Sequence, residues 1–416
     1  MNENSRYAVG IDVGTSMVRC VVGHVDESTG VPTVVGVGVA PNSGMRKGIV
    51  TNLTGPSEAI DKALGEAERM SGYEVNEALL SLNGAHIIST KSDGMVAVGA
   101  GDHMISDEDI ARVEDVATVG KIPANRDVLQ VVPYEFKLDG QDNIKDPVGM
   151  TGTRLEISAN VVSALAPHVD NLRKASEMAT VAPHGIEVAV LAAARAVLTE
   201  SQLENGVAVI DFGASTTSLA VYEEGDLQYI GIVPVGGANI TNDLAIGLQT
   251  DPEIAEIVKC KHAIATGHND PSEISLKHEG QVLKFSSSEI DEVVDARLDD
   301  ILDKVAAELK KSGYAGRLPS GIVLTGGGAN LTKIVEYTKE KFSLATKVGK
   351  PSGFSGVAEQ VETPEYATAV GLMFADIEAA TAAHHRGHRS AKHASGAGVV
   401  AKGGGLIKSL FSKFKQ

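Results

Sequence analysis

Val9-Gly10-Ile11-Asp12-Val13-Gly14-Thr15-Ser16 is an apolar strand that runs into a carboxylate, a glycine and two hydroxyls. The same order returns at Val209-Ile210-Asp211-Phe212-Gly213-Ala214-Ser215-Thr216-Thr217. Both segments open onto a second apolar stretch, Val18 to Val22 in one and Leu219 to Tyr222 in the other. A third turn, Ile322-Val323-Leu324-Thr325-Gly326-Gly327-Gly328-Ala329, sets three glycines behind another apolar strand. Glycine lets a backbone come close to an anion, successive N–H groups form an anion-binding concavity, and the hydroxyls add donors. One Asp-x-Gly turn also marks ordinary hairpins. Two copies and a glycine triplet, in fixed order, predict a phosphate-holding hairpin used twice. The carboxylates Asp12 and Asp211 suit a hydrated Mg²⁺ bridging phosphates rather than the phosphates themselves. A nucleotide held between two related half-molecules follows.

At 416 residues and 43% hydrophobic content the chain can bury two cores. Aromatics are only 4% and Trp is absent, so Val, Ile, Leu and Ala build those cores. Cys20 and Cys260 are too few for a disulfide scaffold and fit a reducing cytosol. Met1 to Tyr7 is polar, which predicts no secretory signal. No apolar run approaches the roughly 20 residues that span a bilayer, and a cytoplasmic protein is expected. The net charge of −17 is unevenly spread: no acidic residue follows Glu378, whereas Arg386, Arg389, Lys392, Lys402, Lys408, Lys413 and Lys415 are basic. An acidic body argues against nucleic acid as a partner, and a basic end argues for an anionic surface reached by the tail.

Strand and helix patterns alternate along the chain, as in an α/β architecture. Residues 7–40 read as strands with turns at Asp26-to-Gly30 and around Gly36. Residues 56–71 read as a helix with Ala59, Ile60, Ala63, Leu64 and Ala67 on one face. From 79 to 162 the pattern changes to short strands, with one helix near Asp107-to-Val119. Residues 243–317 read as helix-rich and charged. From 380 the composition collapses to Ala, His, Gly, Ser, Lys and Arg, and a disordered linker is expected through Gly405.

These residues resemble the actin-like ATPases, and within them the FtsA family of bacterial division proteins. The resemblance covers nearly the whole chain. Beyond the three turns it includes Lys47-Gly48-Ile49-Val50, Leu80-Ser81-Leu82-Asn83-Gly84, Pro234-Val235-Gly236-Gly237 with Thr241, and Tyr366-Ala367-Thr368-Ala369-Val370-Gly371. The stretch from Asp146 to Glu156 and the C-terminal tail narrow it to this family. It implies a two-domain actin-like ATPase fold with a small inserted α+β subdomain. Residues 1–78 and 163–204 would form the first core domain and 79–162 the insert. Residues 205–242 and 318–379 would form the second core domain, with 243–317 as a helix-rich subdomain. The linker at 380–405 and a membrane-targeting helix at 406–416 would follow.

The resemblance also implies ATP and Mg²⁺ as cofactors and assigns the pocket. Gly14, Thr15 and Ser16 hold phosphates from one side; Gly213, Ser215, Thr216 and Thr217 hold them from the other. Gly236 and Gly237 turn near the ribose, and Gly326, Gly327 and Gly328 lie against the purine. Glu256 and Lys259, three residues apart on one helix, line the adenosine pocket; read from spacing alone they are a solvated ion pair. Asp12 and Asp211 act through metal-bound water. Arg195 falls where actin places a glutamine that orients water, or else on the surface of a slightly shifted helix. A permanent cation cannot accept a proton from water, so weak or slow ATPase is expected.

In the last eleven residues, Leu406, Ile407, Leu410, Phe411 and Phe414 share one helical face, with Lys408, Lys413 and Lys415 off it. Such a short helix needs something to fold against. The readings are an interfacial anchor on anionic lipids, a partner groove, or docking on the chain's own core. The family resemblance implies the anchor, self-assembly into filaments, and a surface for the FtsZ C-terminal peptide on residues 243–317. Two alternatives remain: a sugar or acetate kinase of the same superfamily, and a pilus-assembly relative. His384, His385, His388 and His393 lack Cys or carboxylate partners nearby and give no metal signal.

Overall fold

The structure, a computed structural model, describes residues 5–26, 31–99 and 101–390. Strands β1 (Ser5–Val13), β2 (Met17–Asp26) and β3 (Pro32–Pro41) form an antiparallel meander. A ribbon of β4 (Met45–Arg46) and β5 (Ile49–Val50) leads into α1 (Thr54–Ser71) and β6 (Glu77–Leu82). Next come β7 (Ile88–Ala97), α2 (Asp107–Thr118), β8 (Arg126–Leu138), β9 (Gln141–Ile144) and β10 (Arg154–Leu165). The chain continues through α3 (Ala166–Met178), β11 (Ala182–Val188), α4 (Ala189–Val197) and α5 (Glu200–Asn205). A second meander follows: β12 (Val207–Phe212), β13 (Thr217–Glu223) and β14 (Asp226–Val233). Then come α6 (Gly237–Gly247), α7 (Pro252–His262), β15 (Glu273–His278), β16 (Gln281–Ser286) and α8 (Ser287–Ser312). Last are β17 (Ile322–Thr325), α9 (Ile334–Phe342), β18 (Thr346–Val348), β19 (Ser355–Gly356), α10 (Ala358–Val361) and α11 (Ala367–Ser390).

The two main sheets repeat one plan. The first runs β11-β6-β1-β2-β3-β19 and the second β14-β13-β12-β17-β18. In each, an antiparallel meander is extended by strands parallel to its first member: β6 and β11 beside β1, β17 and β18 beside β12. The duplication expected from the paired Asp-x-Gly turns is therefore a duplication of sheets. Each sheet supports its own apolar core, centred on Ile11, Leu80 and Val190 in one and on Ile210, Leu219 and Leu298 in the other. A third small core, with Leu155 and Ile157, lies under α2 in the separate sheet β7-β10-β8-β9.

Several boundaries differ from the expected ones. Strand β6 sits between β1 and β11, so the insert starts after Leu82 rather than at 79. Strand β19 pairs with β3, and α11 packs on β1, β2, β6 and α4. The segment from 355 onward thus returns to the first half, although 318–379 was assigned to the second. The helix also runs on to Ser390, past the expected linker start at 380. Its Ala-rich continuation costs little once the preceding turns exist. The helix-rich subdomain contains a hairpin, β15–β16, whose Ile274, Leu276 and Phe285 are buried at alternate positions. No turn forms at Gly36: β3 is continuous, and α1 lies so close that a Cβ there would sit 2.4 Å from the Ala67 carbonyl oxygen. That glycine serves packing, not a bend. The segment 391–416, with the remainder of the linker and the amphipathic stretch, lies outside the described residues.

Candidate nucleotide site

The two Asp-x-Gly turns are the β1–β2 and β12–β13 hairpins, and they face each other. Ser215 Oγ donates to Thr15 Oγ1 at 2.7 Å across the gap between the halves. Thr15 Oγ1 also accepts from the Gly48 N–H at 3.3 Å, which draws the Lys47-Gly48 turn into the site. Behind the first hairpin, Asn42 Nδ2 donates to the Gly14 carbonyl at 2.7 Å. The second hairpin closes with Gly213 N–H donating to the Thr216 carbonyl at 3.0 Å. Its loop also receives the turn after β14, since Gly237 N–H reaches the Gly213 carbonyl at 3.0 Å and Ala238 N–H the Ala214 carbonyl at 2.7 Å. Gly14, Thr15, Gly213, Ser215, Gly236 and Gly237 are thereby brought together, with Ser16 exposed beside them.

Asp12 and Asp211 are the penultimate residues of β1 and β12, one on each side. Burial pushes Asp211 up to about 7, the Asp12 charge adds to the effect, and Arg19 opposes it. Asp12 is also raised by burial, while the Ser81 hydroxyl and Arg19 pull it back. Ser81 Oγ donates to Asp12 Oδ1 at 2.7 Å and accepts from the Val13 N–H at 2.8 Å, which fixes the carboxylate's direction. Arg19 stands opposite Asp12 in the β1–β2 register, its guanidinium 5.5 Å over the Tyr366 ring and its Nε buried without an acceptor. Two buried carboxylates, one of them raised further by the charge of the other, make a site that favours a cation. Among the described residues no group of three or more His, Cys, Asp or Glu side chains is placed to hold a metal ion. The donor set fits a Mg²⁺ that keeps most of its waters, not an all-protein cage.

The glycine triplet divides. Gly326 has φ +79°, and a Cβ there would lie 2.4 Å from Asp211 Oδ1, so it packs the third turn against the second. Gly328 lies on the Phe212 ring, and only Gly327 faces open space. Lys259 Nζ donates to the Thr241 hydroxyl at 2.8 Å, to Glu256 Oε2 at 2.6 Å and to the Gly237 carbonyl at 3.2 Å. Thr241 donates to the same Glu256 oxygen. The Glu256–Lys259 pair is thus tied to the Gly236-Gly237 turn and is more than a solvated surface pair.

Comparison with known proteins assigns the family. The family model described as "Cell division protein FtsA" matches residues 208–371, and "SHS2 domain inserted in FTSA" matches 84–163. FtsA of Pseudomonas aeruginosa is 34% identical over 380 residues, 90% of each chain. FtsA of Bacillus subtilis is 33% identical over 377 residues, 90% of this chain and 84% of its own. The chain belongs to the FtsA family. It is a cell-division protein of the actin-like superfamily. Its fold is shared by solved structures of low sequence identity. A protein of the PilM-PilN type IV pilus biogenesis complex superposes with TM-score 0.65 at 16% identity, over 89% of this chain and 98% of its own. MreB5 of Spiroplasma citri bound to AMPPNP gives 0.52 at 16%, over 92% and 99%.

Thr217, expected to hold phosphate, and Arg195, expected at a water-orienting position or on the surface, have other partners. Thr217 is fully buried and donates to the Val235 carbonyl at 2.9 Å, so it props the turn before α6 instead of offering a donor to a ligand. Arg195 is neither at a water-orienting position nor on the surface. It is mostly enclosed between Glu187 at 2.8 Å and Glu378 at 3.3 Å, in a charge cluster joining β11, α4 and α11. The reason to expect slow turnover from Arg195 therefore falls away. Ser81, Arg19 and Asn83 belong to the site but were not singled out as site residues. Asn83 Oδ1 accepts from Ser218 Oγ at 3.0 Å across the halves. The signal was present for one of them: Arg19 follows Asp12 on the paired strand, at a spacing that returns it to the same place. The tail residues Leu406, Ile407, Lys408, Leu410, Phe411, Lys413, Phe414 and Lys415 lie outside the described residues.

Proposed function

We propose that this chain binds ATP with Mg²⁺, polymerises, and ties FtsZ filaments to the cytoplasmic face of the inner membrane through residues 406–416. The observation that carries the nucleotide part is the Ser215–Thr15 bond, which sets two phosphate hairpins and two carboxylates face to face. Gly14, Thr15 and Ser16 hold phosphates from the first half, and Gly213 and Ser215 from the second. Arg19 supplies charge to the phosphates from β2. Gly327 offers open backbone to the purine, while Glu256 and Lys259 support the turn that meets the ribose. Asp12 and Asp211 hold the waters of Mg²⁺, which neutralises phosphate charge when bound. The halves close on the ligand, and closure supports a filament-competent shape.

The FtsZ peptide is assigned to the helix-rich subdomain. A groove of about 580 Å³ opens between α8 of that subdomain and α9 of the second half, lined by Asp291, Asp295, Asp299, Tyr337 and Lys341. Its charge suits a segment that presents basic side chains. No helix among the described residues is long and apolar enough to cross a membrane. The basic and apolar faces of 406–416 suit an interfacial anchor, and modest affinity per chain is multiplied along a filament.

The test is co-sedimentation of FtsZ filaments with anionic vesicles and Mg-ATP, using the full chain or a chain ending at Gly405. FtsZ pelleting only with the full chain supports the adaptor and removes the kinase alternative. FtsZ and the full chain staying together in the supernatant would remove the anchor.

A further inference from the structure

The insert touches more than the half from which it emerges. Asn160 of β10 is buried, and its Nδ2 donates to the Leu227 carbonyl of β14, in the second half. Ser89 holds the amide in place by donating to Asn160 Oδ1 at 3.3 Å. One residue away, Lys145 Nζ donates to Asp226 and, at 3.2 Å, to the Tyr134 carbonyl of β8. Strands β7, β8 and β10 all lie against β14.

The choice of β14 matters mechanically. It is the edge strand of its sheet, and a register irregularity at Val221/Tyr222 falls opposite Leu227. An edge strand leaves backbone groups without a ladder partner, and Asn160 takes the Leu227 carbonyl. The same meander carries the second phosphate hairpin, whose β13 is the next strand. The insert's other end is tied to the cleft as well. Asn83, just before the insert, accepts from Ser218 beside that hairpin, and Ser81 holds Asp12. Arg126 stiffens the joint by donating to the Ser163 carbonyl at 2.9 Å and to the His86 carbonyl.

Resting on the nucleotide site proposed above, we infer that the insert is a third arm of the switch. The Asn160–Leu227 and Lys145–Asp226 contacts clamp it to β14, which pairs directly with β13 of the second phosphate hairpin. Rotation of one half against the other then either drags the insert or breaks the clamp. The position of the insert relative to the two halves changes with the bound nucleotide.

Hydrogen–deuterium exchange on the full chain, without nucleotide and with saturating Mg-ATP, tests this directly. The wild type is expected to show slowed exchange at both phosphate hairpins and a change of about threefold or more in β8, β10 and β14. In Asn160→Ala the hairpins still respond, and the change in β8 and β10 disappears. Lys145→Gln, which alters a partly exposed pair and the bond to the Tyr134 carbonyl, weakens that response in the same direction and guards against a folding defect in the first variant. Hairpins that respond while the wild-type insert does not would overturn the clamp alone. An undiminished insert response in both variants would do the same. If neither hairpin responds, the nucleotide site itself is wrong and the clamp falls with it.

Discussion

Asp211 shows how a buried charge can be kept for function at a cost to the fold. Its carboxyl is raised to about 7 from an ordinary 3.8, so the folded state holds the proton more tightly than the unfolded chain. Its contribution to stability is full below about pH 4 and is lost as pH rises through about 7. Asp211→Asn should therefore stabilise the metal-free protein at pH 8 by about 1–4 kcal/mol, read from denaturant melts, with little gain at pH 4. The same variant should lose Mg²⁺-dependent ATP binding. Arg195 obeys the opposite logic. Arg195→Met leaves Glu187 and Glu378 buried without their cation, and a loss of about 3–5 kcal/mol in a chemical melt is expected, with nucleotide affinity kept wherever the variant folds. Neither effect was legible from neighbours in the sequence. The Asp-x-Gly pattern located Asp12 and Asp211, because backbone and metal chemistry need those residues in order. Which way Thr217 and Arg195 point depends on partners at Val235 and Glu378, and local spacing carries no such information.

At the scale of elements, glycines and caps decide how closely pieces approach. Helix α1 seats Ala63 and Ala67 over β3, where Gly36 leaves room for the helix backbone. Gly36→Val is expected to lower stability by about 1–3 kcal/mol, measured as a fall in thermal midpoint with unchanged nucleotide affinity. In the insert, Ser106 and Asp109 close a reciprocal cap at the start of α2. Ser106→Ala should cost about 1 kcal/mol and raise exchange in α2 without touching the phosphate hairpins. Periodicity announced α1 and α2 clearly, since their apolar faces recur at helical spacing. The β15–β16 hairpin was missed although its alternation is visible, because the charged helices on either side dominate that region. The glycine at 36 is ambiguous in the sequence for a different reason: a residue without a side chain looks the same in a bend and under a helix.

For the whole molecule, the return of the last segment to the first half is decisive. Helix α11 covers β1 and β6, and Asp376 accepts from the Val9 N–H at 2.8 Å and pairs with Arg6 at 3.2 Å. A chain ending at Tyr366 should lack a cooperative unfolding transition for the first half, whereas one ending at Ser390 should melt like the full chain; calorimetry distinguishes them. This return could not be read from composition, which continues smoothly from 318 to 379 while the chain changes partners.

It has a consequence for how the protein comes into being. The second half's meander and its parallel partners run without interruption from Val207 to Val348, so a ribosome delivers them as one continuous piece. The first half begins earlier and finishes later, because β1 and β6 stay uncovered until residues 367–378 emerge. A nascent chain therefore holds an exposed apolar sheet for most of its synthesis. The half made first is the half completed last, and a chaperone that shields β1 and β6 has the whole interval in which to act.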